Sequence, residues 1–201
     1  MRSLEIRRHS YTKQGAARGH GSHLSQAGVE LARRIGATIG PFAYVAASRE
    51  PRTLETALTM GFAVDELLDL DGGLWRAAQA EMDHRAYRHD PELYARYQRL
   101  VAADGAVAAL GRRQAELWAA LVARVADGAH GLLVSHGGLI EPGLVAVLPE
   151  WPHARWGRGF RHGEGVRLRH DGDRFLDAEI LFLPAEGMLL PRPVLGTVVH
   201  D

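Results

Sequence analysis

The chain has 201 residues, 46% apolar and 24% charged, a length that favours one domain over residues 1–201 with its own buried core. It contains no cysteine, which excludes disulfide frameworks, thiolate metal sites and cysteine nucleophiles. Its 24 basic and 24 acidic residues cancel, so no global positive field invites nucleic acid or an anionic membrane.

The opening MRSLEIRRHS has no apolar signal core, and no run of about 18 apolar residues follows to span a membrane. The expectation is a cytoplasmic protein of undetermined oligomeric state. Leu4-Glu5-Ile6 reads as a short apolar strand running into Arg7-Arg8-His9 and then a glycine-rich loop. Ala27, Leu31, Ala32 and Ile35 recur at helical spacing, with Ser25 placed to cap the first turn. Phe42 to Ala47 predicts a second strand. Pro51 suits the first turn of a helix running to about Gly61, and Val64 to Leu70 contains a short third strand. From Trp75 to about Ala126 the pattern is helical, broken at Asp90-Pro91 and Asp104-Gly105. Gly131 to Ser135 is a buried-strand run ending in His136-Gly137-Gly138, and Leu139–Leu148 predicts a helix. Alternating residues on either side of Asp171-Gly172-Asp173 predict a hairpin over about 164–183, with loop after Pro184. This β–α alternation implies an α/β fold: a three-layer α/β/α sandwich on a mostly parallel sheet, with a helical excursion over about 75–112.

Three predicted strands end in polar residues: Arg8-His9, Ser48 with Arg52 one turn on, and His136. Ligands of open α/β sheets bind beyond the carboxyl ends of the strands, so these loops are expected to converge. Two arginines and two histidines in one crevice make an anion site, because guanidinium forks match phosphate oxygens. His84, His89, His153, His162 and His170 lack the tight spacing of a metal cluster, so neither metal nor cofactor is expected.

Four motifs together resemble the histidine phosphatase superfamily, in its phosphoglycerate mutase-like branch. They are Leu4-Glu5-Ile6-Arg7-Arg8-His9-Ser10, Leu24-Ser25-Gln26-Ala27-Gly28, Ser48-Arg49-Glu50-Pro51-Arg52-Thr53 and Val134-Ser135-His136-Gly137-Gly138, in the family's order. The resemblance implies a metal-independent phosphomonoester hydrolase. His9 would attack phosphorus to give a phosphohistidine, while Arg8, Arg52 and His136 would hold the phosphoryl oxygens. The substrate would be a phosphorylated small molecule or a phosphoprotein. A phosphomutase, or a phospholigand-binding module without turnover, would use the same pocket.

The chain departs from the family pattern at two places. Ser10 replaces a glycine and either narrows the phosphate pocket or contacts the ligand, and Gly15 stands where many members have asparagine. Gly137, where the acid-phosphatase branch has aspartate, disfavours that branch. In the mutase-like branch a glutamate stands four positions before a Gly-x-Trp-like element; the resemblance therefore implies Asp69, an aspartate before Gly73-Leu74-Trp75, as the proton donor, with Asp71 on the opposite strand face and Glu81 as competitors.

Overall fold

Strand β1 (Arg2–Arg8) alternates: Leu4 and Ile6 face one apolar core, while Glu5 and Arg7 face the other way. The same period-two division continues through β2 (Tyr44–Ser48) and β4 (His130–Ser135). Ala46 and Leu133 join the core of Leu4 and Ile6, whereas Val45, Ala47, Leu132 and Val134 form a second cluster on the opposite face. Consecutive buried residues such as Leu132, Leu133 and Val134 are the mark of a strand covered on both sides. Burying one such leucine is worth about 1.5–3 kcal/mol.

The computed structural model describes residues 1–15, 22–82 and 90–183. Strands β3 (Glu66–Leu68), β5 (Gly165–His170) and β6 (Phe175–Leu181) complete a six-stranded sheet in the order β3-β2-β4-β1-β5-β6. β3, β2, β4 and β1 pair in parallel, and β5 and β6 join antiparallel. Helices α1 (Gln26–Gly36) and α2 (Pro51–Thr59) pack on one face. Helices α3 (Trp75–Met82), α4 (Leu93–Ala102), α5 (Ala106–Ala123) and α6 (Ile140–Val147) cover the other. The expected three-layer α/β fold is present.

Most expected boundaries hold. Ser25 Oγ accepts from Gly28 N at 3.1 Å and caps α1. The helical excursion breaks before Leu93 and again before Ala106; residues 83–89 of it lie outside the described ones. In the hairpin, Asp171 Oδ1 accepts from Asp173 N and Arg174 N, both at 2.9 Å, and fixes the turn. Helix α2 stops at Thr59 rather than Gly61, and the loop expected after Pro184 falls outside the described residues. Among the described residues no helix is long and apolar enough to cross a membrane.

The reading of Leu4-Glu5-Ile6 as plainly apolar requires correction. Glu5 is 1% exposed, and a buried carboxylate persists only when paired. It accepts from Arg7 Nε on its own strand and, at 2.8 Å, from Arg167 Nη2 on β5, its partner in the strand register.

Candidate active site

The three strand ends converge as expected. β1 delivers Arg8 and His9, β2 delivers Ser48, the first turn of α2 delivers Arg52, and β4 delivers His136. Arg8, His9, Arg52 and His136 line one cavity of ≈ 640 Å³ at the carboxyl edge of the parallel strands.

His9 is 8% exposed. Its Nδ1 lies 2.8 Å from the Ser10 carbonyl oxygen. A carbonyl only accepts, so Nδ1 carries the proton and the lone pair of the neutral ring is on Nε2. Burial, followed by the neighbouring His136, lowers the His9 pKa to about 2. The Ser10 carbonyl opposes that shift, and His162 and Arg8 add to it. The imidazole is therefore neutral at physiological pH.

His136 sits with its ring centroid 5.3 Å from that of His9. Arg52 Nε donates to His136 Nδ1 at 3.3 Å, and His136 Nε2 lies 2.8 Å from Ser48 Oγ. Arginine cannot accept, so Nδ1 holds the lone pair and Nε2–H donates to Ser48. Ser48 Oγ is in turn 2.7 Å from Thr53 Oγ1. Burial first, then the charges of Arg52 and Arg8, brings the His136 pKa down to about 3. Two guanidinium groups and two neutral imidazoles thus share the cavity, an arrangement suited to a phosphate dianion.

Gly137 earns its place by size. A Cβ there would lie 3.1 Å from the Arg8 guanidinium, so glycine leaves the room that the arginine occupies. Arg8 Nη1 donates to the Phe160 carbonyl at 2.7 Å.

Sequence reasoning missed the segment that holds these groups. Residues 160–164 run against the end of β1: Arg8 N donates to Glu164 O at 2.8 Å, and Gly163 N donates to Arg8 O at 3.0 Å. Arg7 Nη1 reaches the Gly163 carbonyl at 2.8 Å. His162 Nδ1 lies 3.1 Å from the His9 carbonyl oxygen, and its ring centroid is 5.1 Å from that of His9. Buried Glu141 ties this segment to the His136 loop, accepting from Gly138 N at 2.6 Å and Phe160 N at 3.1 Å. The local signal is slight: a histidine three residues before a strand, with no period to mark it.

The remaining candidates divide. Asp69 and Asp71 both line the cavity, not opposite faces of a strand, because β3 ends at Leu68 and both lie in the loop beyond. Asp69 is exposed, and its Oδ1 accepts from Gly72 N at 3.0 Å. Asp71 Oδ2 accepts from Trp75 N at 3.1 Å, at the start of α3. Glu81 is not on the cavity wall; its carboxylate accepts from Val107 N at 3.1 Å in the first turn of α5. Ser10 is also absent from the wall. It is fully buried, its Oγ donating to Gly28 O at 2.8 Å and its N to Thr56 Oγ1 at 3.0 Å. Only glycine fits at position 28, where a Cβ would meet Tyr11 O at 2.0 Å, and this close approach of α1 turns the Ser10 hydroxyl away from the cavity.

This fold and this site define a class. The chain belongs to the histidine phosphatase superfamily (branch 1), whose family model matches residues 5–177. Membership makes it an enzyme of phosphatase type. Among solved structures it is similar to the phosphoserine phosphatase of Entamoeba histolytica in complex with 3-phosphoglyceric acid, with 17% identity over 91% of this chain and 98% of that one and a TM-score of 0.63. It is also similar to a mycobacterial glucosyl-3-phosphoglycerate phosphatase in complex with VO3, with 21% identity, 90% and 98% coverage and a TM-score of 0.61. A third likeness is to YhfR of Bacillus stearothermophilus, with 23% identity, 88% and 95% coverage and a TM-score of 0.59. No curated protein matches the sequence.

Proposed function

We propose that the protein hydrolyses phosphomonoesters of small molecules through a phosphohistidine on His9. One observation carries this reading: the Nδ1 contact with the Ser10 carbonyl leaves the Nε2 lone pair of a neutral His9 in a cavity that also holds Arg8 and Arg52. In the first step Nε2 bonds to phosphorus as the ester P–O bond breaks, and the leaving oxygen takes a proton from Asp69. In the second, a water attacks the phosphorus, the P–N bond breaks, and Asp69 recovers a proton. Arg8 and Arg52 offset the charge on the non-bridging oxygens, and each such fixed donor is worth about 10²–10³ in rate. The mechanism asks for no metal, since these side chains supply the positive charge. A cavity of ≈ 640 Å³ suits a phosphorylated small molecule. The similar structures with 3-phosphoglyceric acid and VO3 support an oxyanion ligand of that kind.

The test is His9→Ala. Turnover of a nitrophenyl phosphate is expected to fall by at least about 10³-fold, with no acid-labile phosphoenzyme trapped and the thermal transition retained. Phosphate release near the wild-type rate would remove His9 from the role.

A further inference from the structure

We infer that His162 is a ligand of the bound oxyanion, protonated when the anion is in place. The inference deepens the hydrolase reading and rests on its placement of the phosphoryl group beside His9. His162 lines the cavity, and its ring lies 5.1 Å from that of His9 and 4.9 Å from that of Tyr11. In-line displacement puts the leaving oxygen on the far side of phosphorus from the attacking Nε2. A ring standing alongside His9 therefore reaches a non-bridging oxygen, not the bridging one. This separates His162 from the proton-donor role proposed for Asp69.

The tautomer sets the consequence. His162 Nδ1 lies 3.1 Å from the His9 carbonyl, an acceptor only, so Nδ1 bears a proton in every charge state. The neutral ring has only a lone pair at Nε2. To donate from Nε2 to an oxyanion, the ring must take up a second proton, and the anion's charge favours that uptake. The charged and titratable groups facing it are His9 and Tyr11 at the ring; Arg8 on both cavities; Asp90, Tyr97, Glu141, Arg158 and Arg161 in an adjoining cavity of ≈ 500 Å³ that His162 also lines; and His136, Lys13, Arg49, Arg52, Glu50, Asp69 and Asp71 around the main cavity. Binding of the anion and protonation of His162 are therefore linked, and affinity falls as pH rises.

Sulfate is the probe, because it does not titrate near neutrality. Calorimetry on the wild-type protein, in buffers of different ionisation enthalpy between pH 6 and 8, is expected to show proton uptake on sulfate binding, approaching about one proton per sulfate as pH rises. Sulfate binding without proton uptake overturns the assignment. His162→Asn retains an amide N–H that can reach the His9 carbonyl but has no second ring nitrogen. Its sulfate affinity at pH 6 is expected to be about tenfold lower, and nearly independent of pH. A variant that keeps the wild-type pH slope overturns the assignment, since another group then takes the proton; if the variant does not fold, wild-type uptake decides alone. The hydrolase reading fails separately. Wild-type protein that binds sulfate with proton uptake but releases no phosphate from an aryl phosphate would sink that reading and leave the His162 assignment standing.

Discussion

Arg52 Nε donates to His136 Nδ1 across 3.3 Å, and this one contact fixes which way His136 can act. With Nδ1 occupied as an acceptor, the ring proton is on Nε2 and points at Ser48 Oγ. Arg52 itself is anchored by Glu50, whose Oε2 accepts from Nη1 at 2.9 Å. The cation and the imidazole thus form one unit supported by residues 48–53.

Ser48→Ala tests that unit. The substitution leaves the half-buried His136 Nε2–H without its acceptor and frees the ring to turn. The kcat/KM for an aryl phosphate is expected to fall about 10–100-fold, the loss found when a group that orients a working side chain is removed. Stability to denaturant is expected to drop by about 1–2 kcal/mol. Unchanged kcat/KM would show that the Ser48 contact does not orient His136 during turnover.

Gly137→Ala separates room from charge. The added methyl would stand 3.1 Å from the Arg8 guanidinium, which must shift by a few tenths of an ångström while its charge is kept. Activity is expected to fall about tenfold through misplacement alone, with the thermal transition little changed. Full activity would mean that Arg8 adjusts without loss.

Asp69 and Asp71 are told apart by what else they do. Among the described residues the Asp69 carboxylate accepts from Gly72 N at its Oδ1, while its backbone carbonyl accepts from Arg113 Nη2 at 2.7 Å; Asp71 secures the start of α3 through Trp75 N. Asp69→Asn is expected to lose most activity on an alkyl phosphate and much less on a nitrophenyl phosphate, whose leaving group departs without a proton. Asp71→Asn is expected to retain both activities, while Asp71→Ala costs about 1 kcal/mol of stability. The reverse pattern would transfer the donor role to Asp71.

The two cavity histidines, His9 and His136, make the anion-free protein sensitive to acid. Burial and neighbouring positive charge hold His9 at about 2 and His136 at about 3, against 6.5 in the unfolded chain. Between those values the unfolded chain binds protons that the folded chain refuses, so stability is full above pH 6.5 and declines as pH falls toward 3. Each histidine is expected to remove up to about 2 kcal/mol by pH 5. Urea midpoints at pH 7.5 and pH 5 measure the decline, and the slope is expected to shrink in His136→Gln. Equal slopes in the two proteins would show that His136 protonates freely in the fold.

What the sequence made legible was local. Arg8-His9, Ser48, Arg52 and His136 could be placed because each sits at the end of a strand, or within one turn of it, and parallel strands deliver their ends to one edge. Ser25 and Pro51 marked helix starts by their own chemistry. The rest depended on partners far away in the chain. Glu5 reads as a polar interruption until Arg167 is found opposite it. Ser10 reads as a pocket residue until Gly28 brings α1 close enough to take its hydroxyl. Glu81 and Asp71 are both carboxylates near the helical excursion, and only the three-dimensional course of the chain shows that one serves α5 and the other borders the cavity. His162 lies in a segment with no periodicity.

The clamp of residues 160–164 on β1 also sets the order in which the enzyme becomes competent. His9 and His162 are separated by 153 positions, so the proposed nucleophile leaves the ribosome long before the residues that brace it. At about 5–20 residues per second the interval is on the order of ten seconds. Throughout it Arg8 lacks the Phe160 carbonyl, and the backbone around His9 lacks Gly163 and Glu164. A nascent chain therefore carries the His9 imidazole without the frame that holds it, and on the proposed mechanism turnover waits until the C-terminal segment has docked.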